Sequence, residues 1–169
     1  PSRVDRFKSK MLMAEQNCSA THASSHWRPT SNALLPESID WRDKGALNKV
    51  KDQGHCGSCW TFSTTGSAEA HHFLKYGVMK SLSEQQLVDC ADAFNNHGCN
   101  GGLPSQAFEY LMYAGGHDNE TAYPYTAKTG KTCNFKKTDA IAKVAWVNNI
   151  TSLDEDELKL AVGYAGPVS

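Results

Sequence analysis

Gln53-Gly54-His55-Cys56-Gly57-Ser58-Cys59-Trp60 decides how this chain is read. A thiol attacks only as its thiolate, and an unperturbed cysteine has a pKa of about 8.5. Ser58-Cys59 opens a segment of helical character, which puts Cys59 in a first turn. There it faces the positive end of the dipole and unsatisfied backbone N–H groups, surroundings that favour the anion. A neighbouring imidazolium would complete an ion pair and protonate a leaving group. An acyl intermediate also needs donors for its oxyanion. The backbone N–H of Cys59 and the side-chain amide of Gln53 are candidates. Taken alone, Cys-x-x-Cys leaves a redox dithiol, half of a zinc site and a nucleophile all open. The lead-in Lys51-Asp52-Gln53-Gly54-His55 does not read as the buried strand that precedes a redox dithiol. Cys90 and Cys99 are poorly spaced for the second half of a zinc site.

Moving outward, four helices are predicted. The first starts at Ser58-Cys59 and stops at Gly77, a C-terminal cap. Its small residues Ser63, Gly66, Ser67 and Ala70 lie near one face, with Phe62, Phe73 and Leu74 beside them, which predicts close approach of another element to a central helix. The second is Ser83 to Cys90, with a capping box from Ser83 and Gln86 and Leu82 stapled to Leu87. The third begins at Pro104 and ends before Gly115-Gly116, with an apolar stripe of Phe108, Leu111 and Met112. The fourth starts at Ser152, with Glu155 closing a capping box and Asp154 to Glu157 suiting the dipole. Ala140 to Val147 reads as a strand, and Val168-Ser169 as the start of another.

The chain has 169 residues, with 17 Lys plus Arg against 18 Asp plus Glu and a formal charge of -1. Nothing in that balance suggests a nucleic-acid or membrane-surface partner. No apolar run is long enough to span a membrane. There is no initiator Met and no apolar h-region near Pro1, so no signal peptide is expected in this piece. Six cysteines and three N-x-S/T sequons, at Asn17, Asn119 and Asn149, together favour a secretory route. Residues 1–34 are polar and rich in Ser, Thr, His and Lys, which suits an exposed, cleavable segment.

Cys56-Gly57-Ser58-Cys59-Trp60 fits the C-G-[SA]-C-[WY] signature of the papain and cathepsin nucleophile. Asp40-Trp41-Arg42, the run Ser83 to Cys90 and Gly98-Cys99-Asn100-Gly101-Gly102 also resemble the papain family of cysteine peptidases. The resemblance covers residues 35–169. It implies an α+β, two-domain fold, with the mainly helical domain over 35–145 and the beginning of a truncated barrel-like domain over 146–169. It implies Cys59 as nucleophile, Gln53 as oxyanion donor, and disulfides Cys56–Cys99 and Cys90–Cys133. Gly101 and Gly102 correspond to backbone that pairs with an extended substrate, and Pro104 to the pocket for its second residue. Helix initiation is an equally good reading of Pro104. No metal or cofactor is implied.

Upstream, Glu15 to Thr21, within a propeptide end over 1–34, resembles the mini-chain of cathepsin H and aleurain-type enzymes. Ala14-Glu15-Gln16 departs from cathepsin H, which has a proline between acid and amide. That subgroup implies a propeptide remnant tied down through Cys18, whose partner is missing here, and a terminal carboxylate near Thr21 that receives the substrate's amino group. A fixed negative charge at a blocked cleft end selects ligands with a positive terminus. Mainly aminopeptidase action with some endopeptidase action follows. The partners implied are peptide or protein substrates, the chain's own propeptide and cystatin-like inhibitors, in a lysosome or vacuole or outside the cell. The signature's His and Asn lie about 130–150 residues beyond the nucleophile, past Ser169. His55, His71, His72 and His97 do not replace them, so this polypeptide alone is expected to be inactive. A silent homologue that binds without cleaving is the alternative.

Overall fold

A computed structural model describes residues 35–169. Asn17, Cys18, Thr21 and the mini-chain-like segment lie outside the described residues.

Helix α1, Cys59–Tyr76, begins after Ser58 and is closed by Gly77, whose φ of 71° places it in the left-handed region and whose N–H donates to Phe73 O. Its buried face is Trp60, Thr61, Thr64, Thr65, Glu69 and Ala70. The hydroxyls of Thr61 and Thr64 donate back to Ser58 O and Trp60 O, both at 2.8 Å, which satisfies them inside the core. Of the small residues expected along one face, Ala70 is in the core, and the others meet another element less deeply. Ser63 is exposed, and the chain end lies along this side. Ser67 Oγ donates to Pro167 O at 3.3 Å, Ser63 Oγ meets Ser169 Oγ at 2.8 Å, and His71 Nε2 is 3.1 Å from Pro167 O. Val168-Ser169 therefore forms no strand and is held to α1 instead.

Helix α2, Glu84–Cys90, is capped by Ser83, whose Oγ accepts from Gln86 N. The return half of the expected capping box is absent. Gln86 Oε1 accepts from Asp118 N at 2.7 Å, and its Nε2 donates to Tyr110 Oη and Gly116 O, so this buried amide is satisfied across the core. After a 3-10 turn at Asp92–Phe94 comes helix α3, Pro104–Ala114, with proline in its first turn and Gly115 (φ 71°) as its stop. Its buried stripe is Ala107, Tyr110 and Leu111. Met112 is 37% exposed, because it falls on the flank turned from the core. Trp60, Leu87, Cys90, Ala91, Ala107, Tyr110, Leu111 and Tyr123 form that core between α1, α2 and α3.

Strands β1, His117–Asp118, and β2, Ala140–Ala142, pair antiparallel, His117 opposite Ala142. The strand expected to run to Val147 stops at Ala142, since β1 offers only two residues to pair with. Trp146 is left 75% exposed. Helix α4, Glu155–Leu160, runs into a π-helical turn at Ala161–Ala165. Its cap is Asp154, not Ser152: Asp154 accepts from Glu157 N, and Glu157 Oε2 accepts from Thr151 N. The return half of a capping box is not made here either, since Asp154 N donates to Thr151 O and Glu157 reaches Thr151 N instead. Trp41 Nε1 donates to Val162 O at 3.0 Å and ties this segment to the start of the described chain. Disulfides join Cys56 to Cys99 and Cys90 to Cys133, each across 43 positions. Among the described residues the sheet is this one pair of strands, and no closed barrel forms. Among the described residues no helix is long and apolar enough to cross a membrane.

Candidate active site

Cys59 is the first residue of α1, and its thiol is exposed and outside both disulfides. The first turn carries no acidic residue, while Lys75 sits in the last turn. The positive end of the dipole therefore meets Cys59 with no carboxylate in that turn. A redox dithiol would join Cys56 to Cys59. Here Cys56 is bonded to Cys99, so that cycle is not the arrangement. The bond instead pins the lead-in loop. Gly57 N donates to Cys99 O at 2.9 Å, and Gly57 forms a parallel bridge with Asn100. A Cβ on Gly57 would lie 2.4 Å from Cys99 O, so only glycine allows the approach.

Gln53 is half-buried, and its Nε2 donates to Cys56 O at 2.7 Å. One N–H of the amide is engaged there, and a carboxamide has two. Tyr125 fastens this loop to the helix start. Its hydroxyl donates to Gln53 O at 2.8 Å and lies 2.5 Å from Ser58 Oγ, and its ring meets Phe62 edge-on at 5.0 Å. Burial raises the Tyr125 pKa; the bond from Ser58 opposes this, and the charges of Glu84 and Asp52 add to it, so the hydroxyl keeps its proton. Glu120 Oε1 accepts from Tyr125 N at 2.8 Å and fixes the backbone behind the ring. The sequence reading missed Tyr125. The available signal was Tyr123-Pro124-Tyr125, two aromatics about a proline in an otherwise polar loop.

Gly101 and Gly102 are buried, and glycine at 102 has an internal cause. A Cβ there would stand 2.7 Å from the Trp60 ring and 2.5 Å from Asn96 Oδ1. Trp60, the residue after Cys59, is fixed by donation from Nε1 to Gly98 O at 3.1 Å. Asn96, also missed, is 1% exposed; it accepts from Leu103 N and donates to Ala91 O, bracing the loop that leads to Pro104. Pro104 is half-buried at the start of α3.

Below the helix start lies a charged cluster. Lys51 Nζ is 2.8 Å from Glu69 Oε1 and 2.7 Å from Glu84 Oε1, and Thr65 Oγ1 donates to Glu84 Oε1. Of the histidines, His55, His71 and His97 are exposed, and His72 is half-buried and stacked on Tyr76. His117, which the sequence reading passed over, is buried with Nε2 2.9 Å from Ser83 O. Burial lowers its pKa to about 4, with the bond to Ser83 opposing and the Lys51 charge assisting, so it is a neutral structural residue. Of the sequons, Asn119 is half-buried and its Oδ1 accepts from Thr121 N; Asn149 is half-buried.

Cys59 thus opens a helix with its side chain exposed, behind a disulfide-pinned loop that carries a side-chain amide. The family model described as papain family cysteine protease matches residues 35–169, and the chain belongs to that family. It is related to cathepsin H and aleurain-like enzymes. It is 58% identical over 165 residues to "Oryzain gamma chain" of Oryza sativa subsp. japonica, covering 98% of this chain and 45% of that protein. It is 58% identical over 163 residues to "Thiol protease aleurain" of Arabidopsis thaliana, covering 96% and 45%. With "Pro-cathepsin H" of Mus musculus it shares 54% over 165 residues, covering 96% and 48%. The chain thus spans about half the length of the curated relatives it matches. Among solved structures, the digestive procathepsin L 3 of Tenebrio molitor larval midgut superposes with a TM-score of 0.76 at 42% identity, covering 82% of this chain and 44% of that one.

Proposed function

We propose that this chain carries the nucleophile-bearing part of a thiol peptidase that acts mainly as an aminopeptidase, with some endopeptidase action. The observation that carries the reading is the exposed thiol of Cys59 at the first position of α1, outside both disulfides. The thiolate adds to a peptide carbonyl, the C–N bond breaks, and the amine leaves with a proton from an imidazole partner. Water then hydrolyses the thioester and releases the acid. The backbone N–H of Cys59 and the second amide N–H of Gln53 serve the oxyanion. Backbone at Gly101 and Gly102 aligns an extended substrate, and Pro104 borders the pocket for its second residue. The carboxylate of a mini-chain ending near Thr21, tethered through Cys18, receives the substrate's amino group. Peptides, the chain's own propeptide and cystatin-like inhibitors are its partners, in a lysosome or vacuole or after secretion. Two disulfides and three sequons support that route. The domain reading, helical over 35–145 and barrel-forming from 146, is part of the same proposal.

The test is hydrolysis of an aminoacyl and an N-blocked peptide amide by the longest natural form of the protein. Cys59→Ser is expected to abolish both, and removal of residues 15–21 to favour the blocked substrate. Turnover that survives Cys59→Ser overturns the reading.

A further inference from the structure

An amide donor stabilises an oxyanion only where its backbone holds it, and the backbone of Gln53 lies in a loop. That loop turns at Gly54, whose φ is 60° and whose N–H donates to Asp52 Oδ1 at 2.8 Å. Its far end is pinned by the Cys56–Cys99 disulfide. Gln53 itself is gripped twice. Its Nε2 donates to Cys56 O at 2.7 Å, and its carbonyl accepts from Tyr125 Oη at 2.8 Å. A carbonyl only accepts, so the Tyr125 hydroxyl spends its single proton on Gln53. At 2.5 Å from Ser58 Oγ it must then accept, with Ser58 as the donor. The result is a directed chain from Ser58 Oγ to Tyr125 Oη to Gln53 O. It starts on a fully buried serine beside Cys59 and ends on the residue that carries the amide. Tyr125 is held in turn, since Glu120 Oε1 accepts from its N–H at 2.8 Å and its ring packs edge-on against Phe62. We propose that Tyr125 is a positioning residue for the oxyanion amide: its hydroxyl fixes the Gln53 backbone relative to the start of α1, so that the side-chain donor of Gln53 and the backbone donor of Cys59 converge on one oxygen. The hydroxyl is spent inside the chain of bonds, so it acts through Gln53 and not on the reacting atoms. The two segments it joins lie 67 and 72 positions away from it in sequence.

This deepens the proposed function and rests on it. A donor to an oxyanion acts in the transition state, so its misplacement lowers kcat and spares KM. The longest natural form of the protein is assayed on a peptide amide, with kcat expressed per Cys59 thiol that iodoacetamide titrates. Tyr125→Phe keeps the ring and removes the hydroxyl. It is expected to lower kcat about tenfold, with KM within about twofold of the parent. Iodoacetamide loses iodide from a tetrahedral carbon and forms no oxyanion, so its rate at Cys59 should stay within about twofold. The deciding comparison is made in Gln53→Ala. There Tyr125→Phe should cost less than about twofold more, because the group it positions is gone. A merely structural role would cost as much in both backgrounds and would slow alkylation too. An unchanged kcat in Tyr125→Phe, an equal loss of alkylation rate, or an undiminished loss in the Gln53→Ala background overturns the proposal. Where Tyr125→Phe does not fold, Ser58→Ala removes the first link of the chain. It is expected to lower kcat about threefold in the parent and to add nothing in Gln53→Ala. No loss in the parent, or the same loss in both, overturns the proposal. Failure of the underlying reading looks different. A parent that does not hydrolyse the amide, or hydrolysis that survives Cys59→Ser, removes Cys59 as nucleophile whatever the tyrosine variants do.

Discussion

Lys51 Nζ lies 2.7 Å from Glu84 Oε1, and that carboxylate side chain is only 1% exposed. The same ammonium serves Glu69, whose carboxylate also accepts from Leu82 N and Asn48 Nδ2. One cation thus stands between two buried anions, one from α1 and one from α2.

Removing the cation leaves both anions in the core. Lys51→Met is expected to cost about 3–5 kcal/mol, the scale for stranding one member of a buried pair. Urea unfolding with disulfides intact measures it, and a loss below about 1 kcal/mol would contradict the burial argument.

A buried histidine and a half-buried carboxyl impose opposite pH slopes on stability. His117 titrates near 4 when folded against an ordinary 6.5, so the unfolded chain binds the extra proton between those values. Stability therefore rises with pH across that window, by roughly 3 kcal/mol in all. Glu120 runs the other way. Burial raises its carboxyl above the ordinary 4.5; the bond from Tyr125 N opposes this, and the neighbouring Glu84 adds to it. The folded state holds that proton longer, so its contribution is complete below 4.5 and is lost as pH rises through the raised value. Thermal melts against pH should show a rising acid limb that His117→Gln flattens and Glu120→Gln steepens. Identical limbs in both variants would refute the assignment.

Gly102→Ala forces a methyl into the Trp60 ring and Asn96, at 2.7 and 2.5 Å. A destabilisation of about 1–3 kcal/mol is expected, with a shift in the tryptophan fluorescence. Gly66→Ala is the contrast. Its Cβ would meet nothing within 4 Å among the described residues, and a helix-interior alanine should stabilise by about 0.5–1 kcal/mol.

The cap of α4 separates two near neighbours. Asp154→Ala should cost about 1 kcal/mol and speed amide exchange over residues 155–160, whereas Ser152→Ala should do neither. A cost at Ser152 with none at Asp154 would return the cap to Ser152, and equal effects would refute a cap at Asp154 alone.

Features that rest on near neighbours were legible in the sequence. Gly77 and Gly115 stop their helices in the left-handed region, and Pro104 starts one, because each acts through its own backbone. Ser152 and Asp154 both satisfy a capping pattern, and only the position of the chain around Thr151 separates them. Gln86 looked like half of a capping box, but its amide is drawn 32 positions away to Asp118. Met112 fits a helical stripe on paper, and the core lies on the other flank. At the site, Cys59 and Gln53 stood out through motif chemistry. Tyr125 did not, since its partners lie 67 and 72 positions upstream and no local pattern encodes that meeting. The Lys51, Glu69 and Glu84 cluster was hidden for the same reason.

The disulfides Cys56–Cys99 and Cys90–Cys133 overlap along the chain, the second opening before the first has closed. Every peptide bond from 56 to 133 is therefore straddled by at least one of them. A protein that shares a compartment with peptidases can be nicked anywhere in that stretch and still keep its pieces covalently together, with the thiol at 59 in the same molecule as the loop that braces it.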